Sequence, residues 1–380
     1  MATLLDLETP ALGLDQTILD RNLSRMQSRM DLRGVQLRPH VKTSKSIDVL
    51  RRTAAGSHGP ITVSTLKEAE YFFEQGVTNI LYAVGIAPSK LAHAADLIHR
   101  GADLTLILDS VEAVHAIGRA AGQYNVRYPL LIELDVDGHR SGVAPESKLL
   151  LEVAGAISSN PRCSLRGVMT HAGESYNCPS TDDIRAMAEK ERAGAVRAAR
   201  RLEAAGYRTP VVSVGSTPTA TFAADLTEVT EVRAGVYMFH DLVMAGLGVC
   251  EIDDIALSVL VSVIGHQAQR GWIITDGGWM AMSRDRGTVR QPVDQGFGLV
   301  RTLGGEAPSE DLIVTSANQE HGIISRRDGK TPDFSHYPVG SLLRILPNHA
   351  CATGAQHTHY QVVAGNDPAI LACWPRTNGW

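Results

Sequence analysis

The chain has 380 residues, 44% hydrophobic and 20% charged, with 35 glycines and 5% aromatics, which is the profile of a folded α/β protein rather than a disordered or fibrous one. A net charge of −5, with acids and bases mixed along the chain, offers no basic stripe for a nucleic-acid backbone, and no run reaches the roughly 20 apolar residues that span a bilayer. The first residues lack a signal-peptide pattern, and Cys163, Cys178, Cys250, Cys351 and Cys373 are scattered and odd in number, so a cytoplasmic protein without nucleic-acid or membrane partners is expected.

In chain order, eight short β-type runs alternate with Ala-rich amphipathic stretches, at 37–41, 61–64, 79–84, 104–108, 130–134, 165–170, 211–214 and 231–237. Helices are expected between them, among others at 64–75, 88–99, 110–122, 146–159 and 181–205, each closed by a glycine or turn signal. Eight strands with helical crossovers read as a (β/α)₈ barrel over residues 16–245. An open doubly wound sheet is the rival, but it would want a glycine-rich turn after its first strand, where this chain has Lys42. Beyond residue 245 the texture changes to β-type runs at 255–264, 272–276, 312–316 and 341–346, so residues 246–380 read as a smaller antiparallel β domain, to which 1–15 add a strand from 9–15.

Barrel chemistry sits at the C-terminal ends of the strands. There the chain places His40-Val41-Lys42, then Asp137-Gly138-His139-Arg140, His171-Ala172-Gly173, Gly215-Ser216-Thr217-Pro218-Thr219, and Arg233-Ala234-Gly235-Val236-Tyr237. Small residues and hydroxyls opening a helix after residue 214 can hold a phosphate through backbone N–H groups, although an ordinary N-cap reads the same way. A lysine facing such a clamp points to pyridoxal 5′-phosphate (PLP). Lys42 can attack an aldehyde only as a neutral amine, a state favoured by burial or by cations such as Arg140, His171 and Arg233.

Those segments, together with Pro347-Asn348-His349-Ala350-Cys351, resemble the D-serine dehydratase/D-threonine aldolase family of PLP enzymes on the alanine racemase barrel. The resemblance runs through the whole chain in the family's order. It implies that Lys42 carries PLP as a Schiff base, and that Gly215, Ser216, Thr217, Gly235 and Val236 hold the phosphate, with Tyr237 completing the clamp. It also implies that Arg233 faces the pyridine nitrogen and that Arg140 and His171 line the ring.

His349 and Cys351, two apart after a strand, would project from one face of an extended segment, and imidazole with thiolate suits zinc. On its own His-x-Cys is weak; the resemblance implies a divalent metal here, Zn, Mn, Co or Mg. It further implies that Cys rather than Asp at the second position favours dehydration. The expected reaction is conversion of a D-3-hydroxy amino acid, D-threo-3-hydroxyaspartate or D-serine, to a 2-oxo acid and ammonia, with Lys42 as the single base. The alternative is an aldolase releasing glycine and an aldehyde. A racemase would need a second base on the opposite face, which this chain does not show, and a non-catalytic PLP carrier would lack the C-terminal domain. Asp276, Trp279, Gln319 and His321 sit in segments resembling pocket motifs, while Arg140, Arg284 or Gln356 could meet a substrate β-carboxylate. The fold family implies a homodimer.

Overall fold

The structure is a computed structural model and describes residues 2–56 and 58–380. Two compact units emerge among the described residues, one spanning 25–235 with 379–380 and the other 2–24 with 236–378. Strand β1 (Ala11–Asp15) belongs to the second unit. The first holds β2 (Gln36–Pro39), β3 (Ile61–Val63), β4 (Asn79–Gly85), β5 (Asp103–Leu108), β6 (Tyr128–Leu134), β7 (Cys163–Thr170), β8 (Val211–Val214) and β9 (Glu231–Ala234).

These eight strands are parallel and ordered β2-β9-β8-β7-β6-β5-β4-β3. The two ends of that series meet at a parallel bridge between His40 and Thr62, where the Val41 N–H also donates to the Thr62 carbonyl at 2.9 Å. The sheet is therefore an almost closed barrel, as the strand count anticipates. Helices Leu66–Glu74, Val111–Gln123, Lys148–Ser158 and Thr181–Ala204 begin at Thr65, Ser110, Ser147 and Ser180, whose hydroxyls accept a backbone N–H of the first turn. The segment expected to be helical from residue 88 starts as a 3₁₀ turn, Pro88–Lys90, before the helix Leu91–His99.

Strand β9 stops at Ala234, three residues short of the expected run, and Val236–Met238 form a 3₁₀ turn. Gly235 explains the early stop. A Cβ there would lie 2.7 Å from the His40 carbonyl and 2.8 Å from Thr43 Oγ1, so the backbone bends in where no side chain fits.

The second unit carries β10 (Leu257–Gln267), β11 (Trp272–Thr275), β12 (Leu299–Arg301), β13 (Leu312–Ala317), β14 (Gly322–Arg326), β15 (Leu342–Leu346), β16 (His359–Ala364) and β17 (Asp367–Pro375). With β1 they form one sheet, β11-β14-β13-β12-β15-β10-β1-β16-β17. All pairings in it are antiparallel except β1 with β16. Strands β12, β14, β16 and β17 escape the sequence reading. β12 has three residues, too few to show alternation, and β17 carries Pro368 and Pro375, which only an edge strand tolerates.

Gly167 in β7 has φ +135°, and a Cβ there would collide with the Val211 carbonyl of β8. Gly167→Ala should therefore lower stability by about 3 kcal/mol or more. Thermal unfolding followed by circular dichroism checks this, and an unchanged midpoint would refute the packing argument.

Candidate active site

Lys42 lies in the turn that follows the barrel seam and is exposed, so burial does not provide the neutral-amine environment considered from sequence. Its surroundings are basic. The charges of Lys42, Arg233 and His171 all act on His40, whose pKa falls well below normal, chiefly through burial. His40 Nδ1 is buried with no hydrogen-bond partner.

His171 closes β7. Its Nδ1 lies 2.9 Å from the Gly215 carbonyl, an acceptor that fixes the Nδ1–H tautomer and leaves Nε2 as a lone-pair acceptor. Burial, opposed by that bond but reinforced by Lys42, Arg140 and Arg233, drives its pKa down to about 3. His171 is thus neutral at physiological pH, which corrects the expectation that it supplies positive charge. Arg140 sits exposed in the loop between Leu134 and Val143, the other end of which bridges back to β6.

Arg233 is buried in β9 and donates to Ser213 Oγ and the Thr170 carbonyl. Ser213 in turn donates to Glu231 Oε1 at 2.6 Å, and Arg38 Nε donates to Glu231 Oε2 at 2.7 Å. Burial lowers the Arg233 pKa and the charges of Glu231 and Glu191 oppose that fall, so the guanidinium is a fixed cation held in one rotamer.

The turn after β8 is occupied by the protein itself. Gly215 N–H donates to Glu191 Oε1 at 3.0 Å, Ser216 N–H to Thr219 Oγ1 at 3.0 Å, and the Ser216 hydroxyl caps the helix Thr217–Phe222 through the Thr219 N–H. Glu191 is a residue that sequence reasoning missed. It also accepts the Ala172 N–H at 2.9 Å, so one buried carboxylate ties together the ends of β7 and β8. The signal was present: Ile184, Ala188, Glu191, Ala195, Ala198 and Leu202 recur at helical spacing, placing an acid on the buried stripe of Thr181–Ala204.

By contrast, the amides of Gly235 and Val236 make no hydrogen bond among the described residues. Consecutive open amides at a turn form a concavity for an anion. Tyr237 is buried beside them, and burial raises its hydroxyl pKa. An amine on a turn, an open amide pair and a pinned cation are the donor set that a phosphorylated pyridine aldehyde needs.

In the second unit His349 and Cys351 are not extended neighbours, which corrects the geometry inferred from spacing. His349 is the N-cap of the short helix Ala350–Gly354, and Cys351 lies in its first turn. His349 Nδ1 is 2.7 Å from Asp285 Oδ2. Buried Asp241 accepts the Ala350 and Met244 N–H groups, each at 3.0 Å. Burial pulls the His349 pKa down, but Cys351, Asp285 and Asp241 outweigh it and raise it well above normal, the mark of a pocket that attracts a cation. Among the described residues no group of three or more His, Cys, Asp and Glu forms a closed metal cage. A soft pair with a carboxylate behind the imidazole still fits a divalent ion that keeps open positions. Asp241 and Asp285 were also missed, because nothing in their spacing ties them to residue 349.

Other residues expected near the pocket are engaged with neighbours or exposed. Asp276 binds Thr9 and the Ser262 N–H within the sheet, and Gln319 and His321 are exposed at the β13–β14 turn. Arg284 stacks on Trp279, 5.2 Å from the ring centre, one residue before Asp285.

Residues 14–242 match the family described as alanine racemase, N-terminal domain, and residues 256–363 match the serine dehydratase domain family. The chain is 53% identical to a D-threo-3-hydroxyaspartate dehydratase of Delftia sp. (strain HT23), over 100% of this chain and 99% of that one. It is 30% identical to a D-serine dehydratase of Dictyostelium discoideum, over 99% and 98% of the two chains. A D-threo-3-hydroxyaspartate dehydratase variant solved in its metal-free form overlays with a TM-score of 0.96 at 52% identity, covering 100% of both chains. The chain therefore belongs to the D-serine dehydratase and D-threonine aldolase family built on the alanine racemase barrel.

Proposed function

We propose that the protein is a PLP- and divalent-metal-dependent dehydratase that converts a D-3-hydroxy amino acid, first D-threo-3-hydroxyaspartate and second D-serine, to a 2-oxo acid and ammonia. The observation that carries this reading is the His349–Cys351 pair in its acidic pocket, in a chain similar from end to end to dehydratases of such substrates. Residues 16–245 carry the cofactor in this reading, and 246–380 with 1–15 carry the metal.

Lys42 anchors the aldehyde, and its amine, once free and neutral, takes the Cα proton. PLP, when bound, supplies an electron sink for the charge left at Cα. The amides of Gly235 and Val236 would hold the phosphate with Tyr237, and Gly215, Ser216 and Thr217 would form the wall beside it, a turn that Glu191 ties down. Arg233, held in place through Ser213 and Thr170, would meet the cofactor's ring as a charged donor and would disfavour protonation of its nitrogen. Neutral His171 and Arg140 line the ring. His349 and Cys351 would hold a divalent ion, with Zn, Mn, Co and Mg the candidates, and such an ion would lend Lewis acidity to loss of the β-hydroxyl. Water leaves, and hydrolysis of the resulting enamine yields the 2-oxo acid and ammonia.

A cytoplasmic homodimer belongs to the same proposal. In support, no disulfide joins the five cysteines and no helix among the described residues is long and apolar enough to cross a membrane.

Ammonia and 2-oxo acid release from D-serine, D-threonine and the 3-hydroxyaspartate stereoisomers is the deciding assay. The D-threo-3-hydroxyaspartate isomer should give the highest kcat/KM, whereas glycine as the product would replace this reading with an aldolase. Lys42→Ala should abolish both turnover and the near-ultraviolet to visible absorbance of bound, lysine-linked cofactor, and persistence of that band would remove Lys42 as anchor. Asp285→Asn should weaken metal binding about 10- to 100-fold while leaving the cofactor spectrum intact. Titrating the metal-stripped chain and following the return of ammonia release measures this, and wild-type affinity would show that Asp285 does not orient His349.

A further inference from the structure

Strand β15 interrupts its own buried face with a charge. Leu342, Arg344 and Leu346 alternate onto one side, where Leu346 joins Leu242, Ile255, Leu299 and Ile313, and Leu342 packs against Leu4, Leu260 and Val363. Strand β12 repeats the interruption. Leu299 pairs with Leu346, Arg301 pairs with Arg344, and Leu303 returns to the apolar cluster. Two arginines thus stand directly opposite each other between two apolar clusters, 9% and 7% exposed. Like charges paired across an antiparallel ladder destabilise it, and a buried cation needs a partner.

The protein partners them incompletely. Arg344 Nη2 is buried with no hydrogen-bond partner. The carboxylate nearest Arg301 is Asp253, 3.9 Å away and almost wholly exposed. Asp15 and Glu306 attract Arg344 but are committed elsewhere: Asp15 Oδ1 accepts the Thr17 and Ile18 N–H groups at 2.8 and 3.1 Å, and Glu306 accepts Thr302 Oγ1 and Asn366 Nδ2 at 2.5 and 2.8 Å. Both guanidinium groups open onto a cavity of about 250 Å³ that Asp15, Asp253, Ser258, the Gly304-Gly305 turn and Glu306 also line. A guanidinium remains charged at any physiological pH, so the charge in this cavity cannot be relieved by deprotonation.

We propose that this cavity of the β domain is a binding site for a small oxyanion, held by Arg301 and Arg344 side by side. Two forked donors in one plane of the sheet match a carboxylate or phosphate, which each can grip through paired N–H bonds. The volume admits inorganic phosphate or a short dicarboxylate. The carboxylates Asp15, Asp253 and Glu306 on the same cavity lower the net attraction, so binding is of millimolar rather than nanomolar strength.

The test is thermal unfolding of the chain with PLP bound, in inorganic phosphate, in malonate, and in chloride at matched ionic strength. At least one oxyanion should raise the midpoint saturably, by roughly 2–4 °C, and the arm that responds tells phosphate from carboxylate. In Arg301→Met and Arg344→Met the rise should vanish, and without oxyanion Arg344→Met should unfold at or above the wild-type temperature, since an unpartnered buried charge has been removed. Should either variant fail to fold, Arg344→Lys, which keeps the charge but loses the fork, should raise the apparent Kd at least about tenfold. The proposal is overturned if neither oxyanion exceeds chloride, if the rise survives both methionine variants, or if Arg344→Met is strongly destabilised without oxyanion.

Discussion

The barrel of this protein closes on very little. Its first and last strands in space, β2 and β3, meet through the His40–Thr62 bridge, the Val41-to-Thr62 hydrogen bond and the Arg38 side chain, whose Nη1 donates to the Ile61 carbonyl at 3.1 Å; Lys42 is the residue after Val41. Backbone groups at a sheet edge must find partners or water. Here they are satisfied for a residue or two and then released, which is what sends Lys42 out of the wall on a turn. The opposite neighbour of β2 obeys a related constraint. Gly235 lets β9 bend toward the His40 carbonyl, and the bend leaves the Gly235 and Val236 amides without sheet partners. Anchor and open amides are thus consequences of how one seam is finished.

Charge inside the barrel is organised rather than avoided. Arg38, Glu231, Ser213 and Arg233 form a chain that alternates donors and acceptors and ends on the Thr170 carbonyl. A buried ion chain of this kind contributes little net stability, because desolvation consumes most of the attraction, but it fixes the position of each member. Glu191 does the same for the loops, accepting one N–H from the end of β7 and one from the end of β8. Burial holds His171 neutral while Arg233 stays charged, so adjacent residues carry opposite protonation behaviour for one physical reason, the differing intrinsic pKa values of imidazole and guanidinium in a dry site.

The β domain shows the contrary arrangement around His349. Three acidic or thiol groups gather on one imidazole, and the pocket that results favours a cation. Asp241 and Asp285 reach it from separate parts of the chain, the helix start after residue 240 and the loop before Gly287. The sheet of the same domain sets Arg301 against Arg344, a pairing created by the register of β12 on β15.

The sequence alone determined the barrel. Period-two apolar runs and capped amphipathic helices are local signals, each set by neighbours a few positions away, and eight of them in alternation admit few closed folds. It also singled out Lys42 from its place at a strand end, whereas Arg233, His349 and Cys351 took their expected roles from the family resemblance. Only the tertiary structure decided the state of those residues. That Lys42 is exposed, that His171 is neutral, that the Gly215 and Ser216 amides are spent on Glu191 and Thr219, and that Asp285 stands behind His349 all depend on groups distant in sequence. Desolvation and hydrogen-bond partnership are properties of a place in the fold, and no spacing along the chain encodes them.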